Sequence, residues 1–171
     1  MGFWEWLSGR ATTLAGITAP RKVALKSIVR TRELLQSPLT DARAAFFGWN
    51  FMIRTVDQHG NESFSLTAQV SFGPALDVSV DSTIITVPLD PLRVTAEPYF
   101  PLSGQLLQRP IPPDYGGAQI VRALPGPIYF EEVALSPGHP VVLRATVVPF
   151  EPGRFTVDLA REAASLERCD A

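Results

Sequence analysis

Histidine is the side chain best suited to move protons near neutral pH, and this chain has two, His59 and His139. Both fall in turn-like stretches, "VDQHGNES" and "SPGHP", and no H-x-x-x-H or H-x-H spacing is present to hold a metal. They read as solvated turn residues. Cys169 is the one cysteine and has no histidine beside it, which argues against a nucleophile. A single cysteine also excludes a disulfide within the chain and a cysteine zinc site. Gly116-Gly117 is the nearest approach to a phosphate loop, but neither G-x-x-x-x-G-K-[ST] nor G-x-G-x-x-G accompanies it. Glu131 and Glu132 are adjacent in a predicted strand, so their carboxylates point to opposite faces and cannot share one substrate. For an enzyme with an unfamiliar site, the remaining titratable groups are Asp57, His59, Asp81 and Asp114. The sequence therefore carries no recognisable catalytic constellation, and it calls for no metal and no cofactor.

The elements that would have to position such groups are short. The 171 residues fit one domain, 46% of them are hydrophobic, and 16 prolines with 12 glycines favour short strands over long helices. The net charge of −2 hides an asymmetry. Residues 1–36 carry six basic and two acidic side chains, or +4, whereas the remainder carries nine arginines against fifteen acids, or −6, and no lysine. Such a division suggests a leading segment and a body with different jobs, unless the basic residues only keep a surface wet. No apolar run reaches the roughly 18 residues of a membrane-spanning helix, and "MGFWEWLSGR" lacks the features of a secretory signal. Trp6 stands where myristoylation needs Ser or Thr. These features predict a cytoplasmic protein, with the inner face of a membrane as an alternative location.

Residues 1–20 form an amphipathic leading segment in which Phe3, Leu7, Ala11 and Leu14 recur at helical spacing over 3–15. A β-rich body follows over 21–155. It begins with "KVALKSIV" (22–29), a turn at Pro38 and a strand over 43–57. "SFSLTAQVSF" (63–72) alternates apolar and polar residues and should pair with 43–57 as a hairpin across Gly60-Asn61. Short strands are expected at 75–80, 83–87 and 93–97. Residues 98–128 are a long loop rich in proline and glycine. A second hairpin is expected from 129–137 and 140–150, closed by Pro137-Gly138-His139. The last segment, 156–171, contains a predicted helix over 156–168 with Leu159, Ala163 and Leu166 on one face. The expected fold is mainly β, a small barrel or two-layer antiparallel sheet with short helices at both ends.

Phe46, Phe47, Trp49 and Phe51 could stack bases on such a barrel, but a base-stacking platform needs a cationic surround and this body is acidic. The aromatics read as core, and nucleic acid is not the expected partner.

Three stretches carry a family resemblance. "SPLTDAR" followed by "AAFFGWNFMI" resembles the hallmark of GIDE-type domains. These occur in the mitochondrial membrane ubiquitin ligase family, as the beside-a-membrane domain, and in prokaryotic membrane proteins. Ser37, Pro38, Leu39, Thr40 and Arg43 match its first element. "LDVSVDSTIITVPLDPLRV" (76–94) is similar to its Asp-centred hairpin, around Asp81 and Val87. "FEEVALSPGHPVVLRATV" (130–147) is similar to its Glu-Glu strand and Pro-Gly turn, through Glu131, Glu132, Leu135, Pro137 and Gly138. The likeness spans roughly 23–148. Asp41 departs from it, standing where the family has Gly, and His139-Pro140 replaces an acidic residue. Flanking transmembrane helices and a RING zinc module are missing, so ligase activity does not carry over. The resemblance implies a non-catalytic interaction or scaffolding domain beside a membrane, with a protein partner and no catalytic residue. The alternatives are a barrel that binds a small molecule or oligonucleotide, and the unfamiliar enzyme above. Phe3, Trp4, Trp6 and Leu7, with Arg10 behind them, form the candidate docking arm for a membrane surface or partner, unless the aromatics fold back on the sheet.

Overall fold

The computed structural model describes residues 14–97, 104–115 and 118–169. It is mainly β, with 54% strand and 3% helix, and is built around a closed five-stranded barrel. The first part of the chain supplies β1 (Arg21–Val29), β2 (Leu35–Gln36), β3 (Arg43–Ala44), β4 (Phe46–Val56) and β5 (Glu62–Phe72). Next come β6 (Leu76–Val80), β7 (Thr83–Val87), β8 (Val94–Glu97), β9 (Gln105–Leu106) and the single-turn helix α1 (Ala118–Arg122). The chain continues with β10 (Ile128–Leu135), β11 (Pro140–Glu151), β12 (Arg154–Val157) and β13 (Ala164–Arg168).

The barrel runs β1-β6-β7-β12-β11 and closes where β11 returns antiparallel to β1, from Arg21↔Val147 to Ile28↔Pro140. Closure removes the free edges of these strands except along the first half of β11, which runs past β12. Alternation in β1 sends Val23, Leu25 and Val29 inward, where they meet Val78, Ile85, Leu143, Val147 and Phe155. Beyond the barrel, β13 pairs with the first half of β11, and β8 lies parallel to β13.

A second sheet, β5-β4-β10-β9, carries the aromatic strand. Phe47, Trp49 and Phe51 alternate onto one face and make a second core with Leu39, Val70 and Phe130. That core is covered by Ile111, Ala118 and Val121, so the described part of the 98–128 loop is a packed cover that contains β9 and α1. The opposite face of β4 lies against β8: Gly48 approaches Ala96 so closely that no side chain fits between them. The expected 43–57 and 63–72 hairpin is present as β4 and β5, with a register shift between Phe51 and Met52.

Two expectations are overturned. Residues 156–168 do not form a helix: Phe155 and Val157 of β12 pack into the barrel, Asp158 turns the chain, and β13 follows with Ala164 and Leu166 buried. Asp158 makes the turn by accepting from the Ala160 amide at 3.2 Å. A helix this short is marginal by itself, and the open edge of β11 at Val141–Arg144 offers a full ladder instead. The second correction concerns the 129–137 and 140–150 hairpin. Strands β10 and β11 exist but do not pair; β10 joins β4 and β11 joins β1. The Pro137-Gly138 turn therefore passes the chain from one sheet to the other. It is tied to β1 by Gly138 N to Val29 O at 2.9 Å and Val29 N to His139 O at 3.0 Å.

The expected N-terminal helix over 3–15 lies almost wholly outside the described residues. At its end, Leu14–Gly16 form a turn closed by Ile17 N to Leu14 O at 3.2 Å. No helix among the described residues is long and apolar enough to cross a membrane.

Candidate functional site

The stretch 37–43 folds into a corner that caps the second core. The Ser37 amide donates to Ala42 O at 2.8 Å, and the Asp41 amide donates to Ser37 O at 3.1 Å. Ser37 Oγ also accepts from the amides of Leu39 (3.2 Å) and Thr40 (3.3 Å), the local pattern that makes serine a turn residue. Pro38 fixes its own φ inside this corner, and Leu39 drops into the core at 7% exposure. Asp41 sits at φ 62°. That left-handed conformation is the physical reason glycine suits the position, and aspartate is among the few other residues that tolerate it.

The corner closes on Glu132. Ser37 Oγ donates to Glu132 Oε2, Thr40 Oγ1 donates to Oε1 at 2.5 Å, and Trp49 Nε1 donates to Oε2 at 2.8 Å. Register explains the convergence, because Glu132 is the cross-strand partner of Trp49 and both side chains leave the sheet on the same face. Ser37 and Trp49 are buried. The indole lies parallel to Phe72, with ring centres 6.1 Å apart, and Tyr115 tilts onto both rings. Asp41 pairs with Arg109 at 2.8 Å, but both side chains are more than half exposed, so the bridge adds little.

This arrangement holds structure. All three donors that the Glu132 carboxylate receives come from its own chain, and the serine that binds it is buried and has no histidine partner. Among the described residues no group of three or more His, Cys, Asp or Glu side chains could hold a metal ion.

The other candidates fall elsewhere. Asp57 and His59 share the β4–β5 turn, where Asp57 accepts from the Asn61 side chain (2.9 Å) and from the amides of Asn61 and His59. The Asn61 side-chain bond, with these amides, holds the Asp57 carboxyl below its ordinary value. Asp81 occupies the β6–β7 turn at φ 52°, and Asp114 stands in the turn before α1. His139 Nδ1 accepts from the Ser136 amide at 3.1 Å and so stiffens the Pro137-Gly138 turn. Arg43 is exposed opposite Gln36 in the small β2–β3 ladder. Phe46, Phe47, Trp49 and Phe51 are all buried, as expected of core. Phe3, Trp4, Trp6, Leu7 and Arg10 lie outside the described residues.

Sequence reasoning missed the role of Glu132. It separated the two glutamates by face correctly, but Trp49 and Glu132 become neighbours only through a strand pairing between residues far apart in sequence. Glu131 shows the opposite environment. It faces Asn50 across the β4–β10 ladder, and its Oε2 is buried without a hydrogen-bond partner. Burial raises the Glu131 carboxyl above its ordinary value. The folded pKa then exceeds the unfolded one, so the stabilising contribution is complete below the ordinary carboxylate pKa and is lost as pH rises through the folded value. Glu131→Gln should therefore be more stable than wild type at pH 8 and lose that advantage at pH 4. Chemical denaturation at both pH values reads this directly.

A second prediction rests on the corner. Asp41→Gly should keep stability within about 1 kcal/mol of wild type, whereas Asp41→Val should cost about 1–2 kcal/mol, because a β-branched residue is strained at positive φ. Urea midpoints at constant m-value distinguish the two. No protein-family model matches this chain, and the searches of curated proteins and of solved structures found no significant match either.

Proposed function

We propose that this chain is a non-catalytic binding or scaffold domain that works within a larger assembly, next to a membrane, in the manner of the GIDE-type domains it resembles. The observation that carries this reading is the Ser37–Thr40–Trp49–Glu132 network. Its members come from the aromatic strand and from two sequence elements matched separately to that family, and they meet as one lock. A lock of this kind shapes a surface rather than transforming a substrate.

The protein partner is expected along β5. Among the described residues, β5 pairs on one side only, with β4. From Ser63 to Val70 it contains no charge and no proline, the devices that usually blunt an open edge; beyond that the Ser71 amide is taken by Pro91 O at 2.9 Å. An extended partner segment can add a strand there through main-chain hydrogen bonds. Crosslinking in cells followed by mass spectrometry, on wild type and on Leu66→Lys, tests the reading. Leu66 is 46% exposed, so its replacement should leave folding intact. Protein crosslinks to residues 62–70 that disappear in the variant support the proposal. Crosslinks indifferent to the change overturn it.

A second reading is favoured by the barrel. Taken in chain order, its five strands run 1-2-3-5-4-1 with a parallel pair between the third and fifth, a five-stranded Greek-key barrel of the OB kind. Such barrels bind oligonucleotides and oligosaccharides across their second and third strands. In this chain those strands are β6 and β7, where Asp77 accepts from Thr86 at 2.6 Å. Asp77 is also paired with Arg154 at 3.9 Å, and Arg30 donates to Ser79 of β6 at 2.7 Å, so the face has no acidic or basic excess and a neutral ligand is the expected class. A ligand that raises the melting temperature in saturable fashion would put this reading ahead.

A further inference from the structure

Residues 21–32 carry Arg21, Lys22, Lys26, Arg30 and Arg32 and no acid, leaving ten basic against seventeen acidic side chains in the rest of the chain. Both lysines of the protein are among them. The strand decides where these charges point. Val23, Leu25, Ser27 and Val29 are buried, so by alternation Lys22, Lys26 and Ile28 stand on the outer face of β1. Across the ladder, β11 sets Val142 opposite Lys26 and Pro140 opposite Ile28, so neither has a carboxylate as its neighbour there. Lys22 is paired with Glu162 at 2.9 Å, and Arg30 turns to Ser79 on β6 at 2.7 Å. Lys26 and Arg32 are exposed and belong to no ion pair.

Exposed aliphatic side chains alternate with these two cations. Ile28 follows Lys26 on the same face and is 39% exposed, and Leu34, just beyond Arg32, is 43% exposed. A face that only needed solvating would have no use for them. A single-stranded polyanion calls instead for an aromatic platform, and Phe46, Phe47, Trp49 and Phe51 are buried. An anionic bilayer surface uses both kinds of residue: its headgroups attract the cations, and the aliphatic side chains and the lysine stem enter the interface. The acidic remainder of the chain is repelled by the same surface, which leaves one way for the protein to lie. We propose that the outer face of β1 and the segment after it rest on an anionic lipid surface through Lys26, Ile28, Arg32 and Leu34. This inference rests on the membrane half of the reading above and deepens it; the β5 edge is separate.

Co-sedimentation of the full chain with vesicles tests it, using phosphatidylcholine alone and an equimolar mixture with phosphatidylserine. Wild type should pellet with the mixture, stay in solution with phosphatidylcholine, and be released as salt is raised. Lys26→Gln/Arg32→Gln should weaken the partitioning about tenfold or more, since each cation near such a surface is worth roughly fivefold. Ile28→Ser should weaken it severalfold, an effect that charge attraction alone does not produce. Arg54→Gln/Arg109→Gln makes the same charge change on the second sheet and its cover and should stay within about twofold of wild type. All these side chains are exposed, and thermal unfolding checks that the variants fold; Lys26→Ser/Arg32→Ser replaces the first pair if its midpoint falls. Wild type that binds the mixture but loses no more in Lys26→Gln/Arg32→Gln than in the control pair overturns this inference and leaves the membrane reading standing. So does an Ile28→Ser protein that binds like wild type. Wild type that ignores the anionic vesicles overturns both, and retardation of duplex DNA by that protein would assign the stripe to nucleic acid.

Discussion

Gly48→Ala is expected to cost about 3 kcal/mol or more, the largest effect of a methyl group added to any glycine among the described residues. A Cβ built on Gly48 would lie 2.4 Å from Ala96 Cβ and 3.0 Å from the Ala96 backbone. Relief needs one backbone to move, and both are pinned. Gly48 sits mid-strand between partners Ser71 and Val133, and Ala96 is held in the β8–β13 ladder opposite Leu166. The clash therefore pushes the second sheet away from the barrel extension and opens both cores. Urea denaturation should show a lower midpoint with little change in m-value. Ala96→Gly in the same protein should return part of the loss, minus the roughly 0.5–1 kcal/mol that glycine costs inside a strand. A Gly48→Ala protein within about 0.5 kcal/mol of wild type would mean that the contact between β4 and β8 yields without cost, which overturns the prediction.

This close approach also shows what local sequence can and cannot reveal. Alternation announced β5, because Phe64, Leu66, Ala68, Val70 and Phe72 already spell a half-buried strand. The 83–87 run is β7 to the residue, since β-branched residues bounded by Asp81-Ser82 and Pro88 leave it little choice. Gly48 gave no such signal, for its partner is 48 residues away. The same limit explains the C-terminal error. Leu159, Ala163 and Leu166 fit a helical face, but Ala164 and Leu166 also fit a strand. The unpaired edge of β11 decided between them, and that edge exists only once the barrel has closed. Strands β10 and β11 were located correctly and paired wrongly, because a Pro-Gly turn looks alike whether it closes a hairpin or hands the chain to another sheet. The corner at 37–43 was readable as a turn from Ser37, Pro38 and Thr40. Its attachment to Glu132 was not, since it depends on the β4–β10 register.

Glu132→Ala is expected to cost about 2–4 kcal/mol, because it strands two buried donors at once. Trp49 Nε1 and Ser37 Oγ, both on buried residues, lose their acceptor, whereas the exposed Thr40 hydroxyl can turn to solvent. Glu132→Gln should cost less, about 1–2 kcal/mol, since the carboxamide oxygen can still accept from Ser37 and Trp49 and the amide can donate to the Thr40 hydroxyl, so that chiefly the charge strengthening these bonds is lost. Ser37→Ala is the complementary cut. It releases Glu132 and also the amides of Leu39 and Thr40, so the corner should loosen even though the carboxylate keeps Trp49. In the Ser37→Ala/Glu132→Ala double variant, the loss should fall short of the sum by about 1 kcal/mol or more, the signature of partners in one network. In a Trp4→Phe/Trp6→Phe background, Trp49 fluorescence gives a local readout beside global denaturation: Glu132→Gln should shift its emission, and Thr40→Val should barely change it. Additive losses would show that Ser37 and Glu132 act independently. The corner would then be free to serve as a contact surface, and the interlock on which the scaffold reading stands would be gone.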